Sequence, residues 1–129
     1  MDAERHDRVL AMTSHIPQLI AYSVVGTATE LENQMKDEVI KYSAAGFRDF
    51  TRLAGSDPVM WRDVYEKNKD AVLEMLGRFS EDLLTFQKAI RNNDLKFLED
   101  KFSKSKEIRK IIEQIGQAGT FDPTEKTKK

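Results

Sequence analysis

The stretch VLEMLGRFSEDLLTFQKAIRNNDLKFLEDKFSKSKEIRKIIEQI, Val72 to Ile115, decides the fold. Val72, Leu76, Phe79, Leu83, Phe86 and Ile90 step by alternating four and three residues, and Leu95, Leu98, Phe102, Ser105, Ile108, Ile112 and Ile115 do much the same. Such spacing returns side chains to one face of an α-helix and matches no strand pattern. Between the two runs, Arg91-Asn92-Asn93-Asp94 offers breakers and a cap, so the pattern predicts an antiparallel helical hairpin. A repeat near 3.5 residues suits bundle packing and a dimer seam.

The upstream half reads as helix too. Six glycines and three prolines are all that punctuate 129 residues. From about Asp2 to Asn33, Val9, Met12, Ile16, Leu19, Ile20 and Val24 share one helical face, and from Ile16 to Ala28 the polar face nearly vanishes. Burial on most sides is expected there, in a core or a subunit contact. Pro17 leaves the carbonyl of Thr13 without its helical donor, which predicts a bend near Ser14 and His15. After the polar stretch Asn33 to Glu38, a shorter helix is expected over Val39 to Ala54, closing at Gly55. Ser56-Asp57-Pro58 then starts another, with Asp57 as cap and Pro58 at the first position. From Gly116 the pattern stops. The expectation is an all-α domain over residues 1–115 and a flexible polar tail over 116–129.

Composition sets outer bounds. With 40% hydrophobic and 33% charged residues, the chain suits one compact domain. Twenty-one basic against twenty-two acidic residues argue against a nucleic-acid binder. The longest apolar run, Ile16 to Val25, is short and broken by polar residues, so no membrane span is expected. No signal peptide is visible at the start, and a cytoplasmic protein is expected. There are no cysteines, and neither glycine-rich nucleotide loop is present, so no cofactor is expected to bind this segment alone. His6 and His15 are nine residues apart, about 900° of rotation and nearly opposite faces, so no metal site is expected.

Two groups of polar residues remain as candidates. Asp7 and His15 are separated by about 80° of net rotation, so they can line one side of a cleft; the plainer reading is a surface carboxylate and a helix histidine near a bend. In Gly46-Phe47-Arg48-Asp49-Phe50-Thr51-Arg52, a helix puts Arg48 and Arg52 on one face with Asp49 within reach of Arg52. A guanidinium matches two oxygens of a carboxylate or phosphate. Intrahelical pairing, worth a few tenths of a kcal/mol, is the competing use. Phe47, Phe50 and Trp61 would make a niche around the arginine partly dry and strengthen a charge contact. Trp61 alone reads more readily as core than as ligand wall.

Taken together, the block His6-Asp7 through Ser14-His15-Ile16-Pro17 and the block Gly46-Phe47-Arg48-Asp49-Phe50-Thr51-Arg52 through Ser56-Asp57-Pro58 and Trp61 resemble the C-terminal half of prephenate dehydrogenases. The wider group includes arogenate and cyclohexadienyl dehydrogenases of tyrosine biosynthesis. The likeness covers about Met1 to Ile112. It implies a helical dimerisation domain of the 6-phosphogluconate-dehydrogenase C-terminal-like type, with a long kinked first helix and a C-terminal helical hairpin. It also implies a homodimer, and an N-terminal Rossmann domain, absent here, that binds NAD or NADP and carries the histidine base. The reaction implied is oxidative decarboxylation of prephenate or arogenate, with no activity expected from this segment alone.

By the same resemblance, Arg52 holds a substrate carboxylate, Asp7 belongs to the ionic network about it, Ser14 and His15 lie on the cleft wall, and Trp61 stands near the site. Gln18 occupies a position where the family often has histidine; it can donate and accept hydrogen bonds but cannot become cationic. Ala45 stands where a second glycine is common. A different class of reading is a helical protein-interaction module, marked by arginines tied up in internal salt bridges. A free-standing helical enzyme such as a chorismate mutase lacks its arginine-bearing first helix here.

Overall fold

The computed structural model describes residues 2–31 and 33–119, with side chains described through residue 116. Every regular element among them is helical: α1 (Ala3–Leu10), a π-helical turn (Ala11–His15), α2 (Ile16–Thr29), α3 (Asn33–Lys41), α4 (Ala45–Thr51), a 3-10 turn (Arg52–Gly55), α5 (Pro58–Lys67), α6 (Lys69–Arg91) and α7 (Leu95–Gly119). By its internal contacts the chain divides into two compact units, residues 1–80 and 81–129. The cut lies within α6.

In the first unit, Asp2 caps α1 by accepting the Arg5 N–H at 2.8 Å. The helix then runs without a break from Ala3 to Thr29. Its irregularity falls where Pro17 predicts it: the Ile16 N–H reaches back five residues to the carbonyl of Ala11, as a π-turn does. Ala11 and Ile16 on this turn pack with Val72 and Met75 of α6, flanked by Ile20, Tyr65, Leu76 and Phe79. That small cluster is the buried apolar core of the unit.

Read as a whole, this first helix corrects the expectation that nothing here is long enough to span a bilayer. Continuous helix adds α1 and the π-turn to the apolar run, giving 27 residues with a window of mean hydropathy 1.2. Within this chain 28% of that window is buried, Ala11, Ile16 and Ala21 among it, and the buried polar side chains His15 and Gln18 are bonded to other elements.

Two further boundaries move. Asn33 to Glu38 is helical as the start of α3, because Gln34, Met35, Lys36 and Glu38 are good helix formers and polarity is not a break. The expected helix over Val39 to Ala54 is instead α3, a gap, α4 and a 3-10 turn. The start of α5 is as expected, with Asp57 Oδ1 accepting the Val59 N–H at 3.0 Å.

The second unit is built on the hairpin. Asn93 takes a left-handed φ of 54°, which asparagine tolerates, and Asp94 Oδ1 caps α7 by accepting from Phe97 N–H at 3.2 Å. Phe86 of α6 stacks on Phe102 at 5.9 Å and meets Phe97 edge-on at 6.1 Å. Leu83, Leu84, Ile90, Leu95, Phe102, Ile108, Ile112 and Ile115 remain exposed. The α7 backbone stays helical to Gly119, so residues 116–119 of the expected tail belong to the helix; a glycine costs only about 1 kcal/mol against alanine there. The rest of that tail, 120–129, lies outside the described residues.

Candidate functional site

The π-turn and α5 bring the first group of candidates together. Trp61, Tyr65 and Asn68 follow at four and three residues and so face one way. His15, only 6% exposed, lies against that face. Its ring meets Trp61 edge-on at 6.0 Å and Tyr65 edge-on at 6.3 Å. Tyr65 Oη donates to the His15 carbonyl at 2.8 Å. Asn68 Nδ2 donates to the Asp7 carbonyl at 3.1 Å and stands 3.2 Å from His15 Nδ1. The carbonyls of His15 and Asp7 thus gain side-chain donors from Tyr65 of α5 and from Asn68 just after it.

Electrostatics follow from this burial. Desolvation lowers the His15 pKa, favouring neutral imidazole. Burial, with Tyr22 nearby, pushes Tyr65 up to about 12. Trp61 Nε1 is fully buried without a hydrogen-bond partner among the described residues. Ser14, beside His15, is half-buried.

Asp7 and His15 are neighbours through Asn68, yet by the backbone of Asp7 and not its carboxylate. That carboxylate is exposed, 3.7 Å from His6 Nδ1. It lines an open groove of about 490 Å³ with Glu4, Glu66, Asp70 and Glu74, whose acids outnumber Arg8, Lys67 and Lys69. An anionic substrate is disfavoured there. No ion pair among the described residues joins Asp7 to Arg52.

The arginine cluster is arranged differently from its helical reading. α4 ends at Thr51, and Arg52 begins the 3-10 turn, so Arg48 and Arg52 are not consecutive turns of one helix. Arg52 is exposed, and Phe50 is 50% exposed, so the partly dry niche expected around the guanidinium is not formed by this chain. Trp61 packs with His15 and Tyr65. Neither Arg48, Asp49 nor Arg52 takes part in an ion pair among the described residues, so the mark of the interaction-module reading is not seen there either.

What holds the turn is Gln18. It is 1% exposed, and its Nε2–H donates to the Leu53 carbonyl at 2.6 Å. One helical turn along α2, Tyr22 Oη donates to the Ser56 carbonyl at 3.1 Å. Two donors on one face of α2 therefore pin the segment that begins with Arg52. One of the two Gln18 Nε2 hydrogens is thereby spent on supporting the turn. Tyr22, Tyr65 and Asn68 were not singled out in the sequence. The 61/65/68 and 18/22 spacings were visible, but nothing in one chain says which carbonyls such donors meet.

The family model described as prephenate dehydrogenase, dimerization domain, matches residues 2–115. Cyclohexadienyl dehydrogenase of Zymomonas mobilis is 40% identical over 109 residues, 84% of this chain and 37% of that protein. Prephenate dehydrogenase of Bacillus subtilis is 34% identical over 109 residues, 84% of this chain and 29% of its own length. Among solved structures, prephenate dehydrogenase from A. aeolicus, in complex with hydroxyphenyl propionate and NAD+, superposes with a TM-score of 0.79 at 33% identity, covering 87% of this chain and 39% of that one. The chain thus spans about a third of the length of the relatives it matches.

Proposed function

Because this chain belongs to the prephenate dehydrogenase dimerization-domain family, we propose that it is the subunit-pairing and substrate-contacting part of a prephenate or arogenate dehydrogenase. In this reading a Rossmann domain outside the chain binds NAD or NADP, whose nicotinamide supplies the hydride acceptor for an oxidative decarboxylation. The helical part binds and orients.

The observation that carries the reading is Arg52: an exposed guanidinium, unpaired among the described residues, on a turn pinned by Gln18 and Tyr22. A side chain committed to intramolecular pairing would be of no use to a ligand; one held at the surface on a supported turn serves a site completed by a second domain. Its role is to place a substrate carboxylate beside the nicotinamide, an effect of positioning and electrostatics. His15 and Trp61 contribute the polar and aromatic wall, with Ser14 beside them. Asp7 acts through the groove it lines, at a distance from the carboxylate.

Subunit pairing is assigned to the second unit. Leu95, Phe102, Ile108, Ile112 and Ile115 repeat at bundle spacing and are each more than half exposed, more apolar surface than a lone hairpin leaves in water. A second copy covering that face makes the homodimer. The chain is read as working in the cytoplasm and not in a bilayer, since the polar side chains buried on its apolar helix are served by Leu53 and Asn68.

The test joins the chain to a nucleotide-binding domain of the family. NAD(P)-dependent turnover of prephenate or arogenate is expected. Arg52→Ala then raises KM roughly 10- to 100-fold, the loss of one charge-assisted contact of about 1.5–3 kcal/mol, with the dimer intact. An unchanged KM removes Arg52 from the site.

A further inference from the structure

We propose that Asn68 is a positioning residue that holds His15 as its Nε2–H tautomer, so that the imidazole meets a ligand as a hydrogen-bond donor and not as a base. The functional half of this statement rests on His15 belonging to the substrate site; the tautomer itself rests on geometry alone.

The argument begins at an atom with no ambiguity. The backbone carbonyl of Asp7 can only accept, so the Asn68 side-chain atom 3.1 Å from it is the amide nitrogen and not the amide oxygen. That nitrogen carries a second N–H, and His15 Nδ1 stands 3.2 Å from it. For this contact to be a hydrogen bond, Nδ1 must offer its lone pair, which leaves the single ring proton of neutral imidazole on Nε2. A proton on Nδ1 would set N–H against N–H.

The main chain of Asn68 is fixed at the junction of two helices: its backbone N–H donates to the Val64 carbonyl at 3.0 Å and its carbonyl accepts from Val72 N–H at 3.0 Å. Flipping the side chain would point Oδ1 at the Asp7 carbonyl, acceptor against acceptor. Around the ring, the other neighbours are the faces and edges of Trp61 and Tyr65 and the Tyr65 hydroxyl, which is spent on the His15 carbonyl. No carboxylate is paired with the ring among the described residues, so nothing there favours imidazolium or an Nδ1 proton. Burial acts in the same direction. Nε2 makes no hydrogen bond to the protein among the described residues, and its proton is left for an outside acceptor such as a carbonyl, carboxylate or hydroxyl oxygen.

The experiment is long-range ¹H–¹⁵N correlation of the two imidazoles in the full 129-residue chain above the histidine pKa, with exposed His6 as the reference within the same sample. The expected Nε2–H to Nδ1–H ratio at His15 is about fivefold or more above that at His6, one net hydrogen bond's worth of bias. In Asn68→Ala the His15 ratio falls severalfold from its wild-type value, and in Asn68→Asp, whose carboxylate accepts, it inverts. A wild-type His15 ratio equal to or below that of His6 overturns the proposal even if neither variant folds, and so does a ratio unmoved in folded Asn68→Ala. Loss of the Arg52 effect on KM would sink the dehydrogenase reading and leave this tautomer untouched.

Discussion

Replacing Gln18 by glutamate puts a titratable group of nearly the same shape where the structure has 1% exposure and a carbonyl acceptor. An unfolded glutamate titrates near about 4.3, whereas a carboxyl buried to this degree is raised by about 3–5 units. The folded pKa therefore lies above the unfolded one. Stability is fully present below about pH 4, where the protonated carboxyl donates to Leu53 in place of the amide, and is lost as pH rises toward the folded value. At pH 7 about 2.7 units of that rise have been spent, and at about 1.36 kcal/mol per unit the variant is weaker by about 3–4 kcal/mol. Gln18→Met serves as the control: it keeps the length and loses the donor. The Leu53 carbonyl still accepts from Ser56 N–H at 3.1 Å, so the control pays only a net bond, about 0.5–1.5 kcal/mol, at every pH. Urea unfolding followed by circular dichroism at pH 4 and pH 7 measures both. If the glutamate variant, relative to wild type, changes by less than about 1 kcal/mol between the two, Gln18 is not a buried donor and the pinning of the Arg52 turn is wrong.

Other perturbations follow from the same contacts. Asp57→Ala removes the acceptor for Val59 N–H at the start of α5 and should cost about 1 kcal/mol in denaturant unfolding, while Asp57→Asn should cost far less. Tyr65, with its pKa at about 12 against about 10 when unfolded, contributes stability below pH 10 that is lost as pH rises through 12; the ultraviolet titration of wild type minus Tyr65→Phe should show that late midpoint, and a midpoint near 10 would contradict the burial. Lysine at both Ile108 and Ile112 should shift the chain from dimer to monomer in sedimentation, with helix content retained. A variant that sediments as wild type would place the subunit contact elsewhere.

How far the chain could be read from its letters depended on the range of the interactions involved. Helix existence is a local matter, so Val72 to Ile90 and Leu95 to Ile115 declared themselves by spacing, Asp57-Pro58 by capping chemistry, and Pro17 by the donor it lacks. The residues of the π-turn mark that last effect at Ala11–His15. Polarity misled at Asn33 to Glu38, where helix formers outweighed the absence of an apolar face, and continuity of the first helix was not legible from its apolar run alone.

The site divides along the same line. Asp7, His15, Arg52 and Trp61 were readable as candidates from a pattern of residue types, and the family followed from that pattern. What each one touches was not. A glutamine reads the same whether it faces a ligand or a carbonyl 35 positions away, and only packing chose Leu53 for Gln18. An arginine flanked by phenylalanines suggests a dry niche, but a helix that stops one residue early leaves Arg52 in water. The letters carry torsional preference and periodicity, which act over a turn or two; pairing of donors with acceptors across distant segments, and hence burial and protonation, arises only when the tertiary fold brings those segments within reach.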